Sequence, residues 1–144
     1  MYHEDESVLT PRKWPWQKDT LAFGWLDPRH PFREGPCPSE VRRGLEEAAR
    51  SPIDRTRGFH TCAFCPRPTP EEVGPWSPDF HPTEYTTQRG DTLHLGSASI
   101  EVMAGGRRWV APNLVLHYVA EHGYLPPAEV VAALGEPGRR PWTM

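Results

Sequence analysis

His60-Thr61-Cys62-Ala63-Phe64-Cys65 places a histidine and two of the chain's three cysteines side by side. A turn that closes C-x-x-C aims two thiolates at one point, and sulfur with imidazole nitrogen is the ligand set that tetrahedral Zn²⁺ prefers. Cys62 and Cys65 supply half of such a site, so the remaining ligands must come from elsewhere. Downstream, VLHYVAEH (residues 115–122) carries His117 and His122 with the H-x4-H spacing found in zinc sites. A knuckle, then a β-hairpin, then a helix bearing histidines is the order of a treble-clef-like module, and it gives the quartet Cys62, Cys65, His117 and His122.

Helix geometry opposes that quartet. Five residues along an ideal helix rotate the side chain by about 500°, which leaves the two imidazoles roughly 140° apart. Both can reach one ion only if the helix loosens at its end, where Gly123 stands. His60 competes for the place, because residues i and i+2 of an extended strand point to the same side. His81, in SPDFHPTEY, is a further loop candidate. The histidines therefore rank His117, His60, His122, His81. The competing readings are a hydrogen-bonded core histidine at His117, a dipole-compensating His122 in the last helical turn, and cysteines that are simply buried. A thioredoxin-like redox pair is disfavoured by Pro66, Pro68 and Pro70, which stand where a helix would have to begin.

The 144 residues fit one domain, yet 18 prolines and 12 glycines require much of it to be loop. Six Trp, four Tyr and five Phe supply apolar surface that a disordered chain lacks. Residues 1–37 read as an extended aromatic and proline-rich arm with a short strand in TLAFGWL, Thr20 to Leu26. The core runs over 38–136 and a tail over 137–144. Within the core, SEVRRGLEEAARSP predicts an amphipathic helix that Ser39 can cap, with Val41, Leu45, Ala48 and Ala49 on its apolar stripe and Pro52 as its stop. Alternation then predicts strands at Leu93–Leu95, Ser99–Met103 and Arg108–Ala111, the last two joined at Ala104-Gly105-Gly106. A helix from Pro112 or Asn113 to Gly123 and a short one in PPAEVVAALGEP complete a small, irregular α+β domain with about three helices.

A net charge of -3 supplies no global field for nucleic acid or an anionic membrane. No apolar run is long enough to span a bilayer and the N-terminus has no signal-like core, so a cytoplasmic location is expected. Three cysteines cannot all pair within one chain, which leaves C-x-x-C free for metal; Cys37, between two prolines, reads as an isolated thiol. HYVAEH is not the H-E-x-x-H of a zinc hydrolase. The alternative to a structural Zn²⁺ and a binding module is an enzyme at the knuckle, either a thiol enzyme with Cys62 or Cys65 as nucleophile and His60 or His117 as base, or a metalloenzyme with Glu84 or Glu121 as the acid. Such a module would meet a protein partner through Trp14, Trp16, Trp25 or Trp76.

GWLDPRHPF, RGFHTCAFC, GSASIEV and APNLVLHYVAEHGYLPP together resemble a family of small bacterial proteins, frequent in actinobacteria, classed as a domain of unknown function. The resemblance runs over nearly the whole chain from MYHED onward. It implies one intact domain and a bacterial cytosolic source, and assigns no catalytic role to any residue.

Overall fold

In the computed structural model, residues 2–11, 13–16, 18–54, 62–65 and 83–135 are described. His60, His81, Trp76 and the tail lie outside them. The order is β1 (Val8–Thr10), β2 (Thr20–Ala22), α1 (Ser39–Arg50), β3 (Thr83–Thr86), β4 (Thr92–Leu95), β5 (Ser99–Ala104), β6 (Arg107–Pro112), α2 (Val115–His122) and α3 (Ala128–Gly135). The architecture is α+β, with three helices and two small sheets among the described residues.

The hairpin β5–β6 forms as expected. Ala104 pairs with Arg107 across Gly105 and Gly106, both at positive φ, which is the two-residue turn whose twist suits a hairpin. The larger sheet runs β1-β2-β6-β5, with β2 parallel to β6 and the other pairs antiparallel. The arm is therefore not merely laid on the core: its strand β2 is a central strand. The reason is visible in Thr20-Leu21-Ala22-Phe23, a continuous rather than alternating buried run, the pattern of a strand covered on both faces. Strand β4 pairs with β3 in a separate two-stranded antiparallel sheet.

Ile100 and Val102 of β5, with Trp109 of β6, turn inward, and α1 and α3 pack against β5. Burying each such side chain contributes about 1.5–3 kcal/mol. Helix α1 is capped by Pro38 rather than Ser39: the Pro38 carbonyl accepts from the Val41 and Arg42 amides, and no side-chain cap bond forms. Its Gly44 is the contact point with α3, since a Cβ there would lie 2.8 Å from Leu134 Cδ2 and 3.2 Å from Leu134 Cβ. Helix α2 begins at Val115, later than expected. Asn113 is occupied beforehand, with its amide donating to the Ala98 carbonyl and its side-chain oxygen accepting from the Gly96 amide at 2.7 Å.

Candidate metal centre

Two elements build the site. The first is the turn Cys62–Cys65, closed by the Cys65 amide donating to the Cys62 carbonyl at 3.3 Å. The second is α2, which presents His117 and His122. Four ligand atoms, Sγ of Cys62 and Cys65 and a ring nitrogen of His117 and His122, lie within 4.8 Å of one another. The short separations are Cys62 Sγ to His122 Nε2 at 3.3 Å, Cys65 Sγ to His117 Nε2 at 3.2 Å, Cys65 Sγ to His122 Nε2 at 3.5 Å, and Nε2 to Nε2 at 3.2 Å.

The wide helical separation of the two histidines is resolved at the C-terminus of α2. The amides of Gly123 and Tyr124 both return to the Tyr118 carbonyl, the first of them an i→i−5 bond of the π type rather than the α-helical i→i−4. A turn closed in this way holds an extra residue, so side chains five apart come nearly into line. Gly123 makes it possible by taking φ 69, the left-handed conformation that costs a Cβ-bearing residue most. The loosening that the pair required is present, and it is located at that glycine.

Aromatic rings wall the cluster. Phe64, between the two cysteines, packs with its centroid 5.2 Å from the His122 ring, 5.9 Å from Tyr118 and 5.5 Å from Phe32. Sequence reasoning overlooked Phe64, Phe32 and Tyr118; the available signal was an aromatic residue inside the C-x-x-C turn. Burial pushes the Cys62 thiol up to about 11, the Phe64 amide partly offsetting it and neighbouring Cys65 adding to it. Burial likewise raises Tyr118, with the two cysteines contributing. Without a cation Cys62 is therefore a neutral thiol, and a bound cation reverses that preference by holding the thiolate.

Cys37 stays apart from the cluster, half-buried, with its Sγ 3.7 Å from the Pro38 carbonyl oxygen, and burial raises its pKa as well. Glu84 is exposed and faces His94 across the β3–β4 pair at 3.9 Å, and Glu121 is exposed on α2. Neither approaches the cluster closely enough to join the four ligands identified among the described residues.

Single well-directed hydrogen bonds do not account for the geometry. Cys65 Sγ and the two Nε2 atoms form a triangle with edges of 3.2, 3.5 and 3.2 Å. Each imidazole nitrogen has one site in the ring plane, either a proton or a lone pair, and so makes one well-directed hydrogen bond. A triangle asks each for two. A central cation instead uses one lone pair from each atom. The four residues lie close enough to hold a metal ion.

A family model described as a domain of unknown function, DUF7919, matches residues 1–135. The chain belongs to the DUF7919 family. No curated protein and no solved structure matches it. All four cluster residues fall inside the matched span, so the candidate metal centre is part of the DUF7919 domain itself.

Proposed function

We propose that Cys62, Cys65, His117 and His122 bind one structural Zn²⁺ and that the chain acts as a zinc-stabilised binding module in the bacterial cytoplasm. The observation that carries the metal is the set of ligand separations. With sulfur at about 2.3 Å and nitrogen at about 2.0–2.1 Å from a tetrahedral ion, N–N edges are about 3.3 Å and S–N edges about 3.6 Å. The cluster has an N–N edge of 3.2 Å and S–N edges of 3.2, 3.3 and 3.5 Å.

Zinc fits this donor set better than its competitors do, because two thiolates and two imidazoles in a tetrahedron suit an ion without geometric preference. Four protein ligands complete the coordination, the pattern of a structural rather than a catalytic site. Unpaired cysteines suit a reducing compartment. Among the described residues no helix is long and apolar enough to cross a membrane.

The ion pins the short knuckle to α2, and that tether spans 52 to 60 positions of sequence. Zinc in small modules contributes apparent binding free energies of about 10–16 kcal/mol, enough to decide folding in a chain with this much loop. Chelation is expected to lower the thermal midpoint of the purified protein. Cys62→Ser should remove the metal and most of the cooperative transition. Cys37→Ser should keep the metal and, from a half-buried position, shift stability by about 1 kcal/mol. Equal behaviour of the two variants in metal content and melting would contradict the assignment.

A further inference from the structure

On the sheet face opposite the helices, one row of residues runs across all four strands: Thr10 pairs with Thr20, Thr20 with Arg108, and Arg108 with Met103. This row floors a cleft of about 620 Å³, walled by Lys13, Trp16 and Lys18. A smaller cleft of about 300 Å³ shares Lys18 with it but is lined otherwise by Asp19, Leu21 and Arg107, of which Leu21 and Arg107 belong to the other face of the sheet. None of the metal-cluster residues lines either cleft.

Two properties set this face apart. The large apolar side chains left exposed among the described residues are Val8, Trp14, Trp16 and Met103. Two of these line the larger cleft, and Trp14 stacks parallel on Trp16 with centroids 5.5 Å apart. Trp16 keeps 77% of its surface in solvent. By contrast Trp25, also a candidate contact residue, is half-buried and its indole donates to the Val110 carbonyl at 3.0 Å. The second property is charge. Lys13, Lys18 and Arg108 line the larger cleft, with Arg108 paired to Glu101, on a chain whose net charge is -3.

We propose that this cleft docks an acidic segment of a partner protein that also carries apolar side chains. The proposal rests on the binding-module reading and names the partner's chemistry. Exposed tryptophan, methionine and arginine are the residue types enriched at the centre of protein interfaces, and local cations select and steer an acidic partner. Single-stranded nucleic acid would also use cations and stacked aromatics. The cations here line one cleft rather than a track, however, so a long polyanion would meet them over only a short part of its length. The row from Thr10 to Met103 offers apolar and hydroxyl contacts that a peptide can use along its length.

The test titrates the full chain, purified without added metal, with a short synthetic peptide that alternates Asp or Glu with Leu or Phe, read by tryptophan fluorescence and calorimetry. Saturable binding that weakens with salt is expected. Lys13→Glu with Lys18→Glu should weaken it at least about tenfold, and Trp14→Ala with Trp16→Ala should abolish the fluorescence change and the heat. Failure to saturate by about 1 mM peptide, equal binding of the Lys-for-acid peptide, or tighter binding of a single-stranded oligonucleotide of equal charge would overturn it. Metal content measured on the same sample separates the readings. Zinc present without peptide binding removes this proposal alone, and peptide binding without zinc removes the metal assignment alone.

Discussion

Asp91 shows how single residues hold the smaller sheet in place. The Arg50 guanidinium, 2.9 Å from its carboxylate, and the Thr87 hydroxyl hold its pKa well below the usual 3.8. Arg50 also reaches Glu47 within α1 at 2.7 Å, and its bond to Asp91 ties that helix to the β3–β4 turn. Because the folded value is depressed, the stabilisation is full above 3.8 and is lost as pH falls below it through the lower folded value. The difference in urea midpoint between the wild type and Asp91→Asn should thus be largest near neutral pH, shrink with salt, and close in acid. A difference independent of pH would contradict the pairing. Asp5 has the opposite sign. Burial raises its pKa although it accepts from the Tyr124 hydroxyl at 2.7 Å and the Gly24 amide at 3.0 Å, so its ionisation opposes folding as pH rises.

At the scale of elements, packing at Gly44 outweighs helix propensity. Alanine would gain about 1 kcal/mol as a helix former, but its Cβ would press on three Leu134 carbons at 2.8 to 3.2 Å. Overpacking of this kind costs about 1–3 kcal/mol. Gly44→Ala should therefore destabilise by about 1 kcal/mol net in a denaturant titration, and a stabilised variant would show that α1 and α3 can separate freely. Local signals made α1, the β5–β6 hairpin and both C-terminal helices legible, through an apolar stripe, two adjacent glycines and proline starts. The place of β2 was not legible, because a parallel pairing of Thr20–Ala22 with Arg108–Val110 is set by contacts 88 positions apart. The same holds for the metal cluster. Ligand types and spacing named Cys62, Cys65, His117 and His122, whereas ideal helix geometry spoke against the two histidines together. What reconciled them was a backbone detail, the i→i−5 closure onto Tyr118, which no side-chain pattern announces.

Across the whole molecule, distant segments meet around one region. Strand β2 pairs with β6, Asp5 holds the Tyr124 hydroxyl, and the Cys62–Cys65 turn faces α2. All three close onto residues 108–124, the stretch running from β6 through α2. Each closure costs loop entropy that grows only slowly with length, so strong local contacts can hold long connections. The first two closures rest on backbone pairing and a part-buried hydrogen bond. The third sets four ligand atoms close enough together to hold a metal ion, and a cation would supply both the attraction and the tether. X-ray absorption on the protein as purified, together with its metal stoichiometry, tests this most directly. One zinc per chain, with two sulfur ligands at about 2.3 Å and two nitrogen ligands at about 2.0–2.1 Å, is the expected result. A folded protein that retains no metal, or a metal whose first shell lacks sulfur, would contradict it.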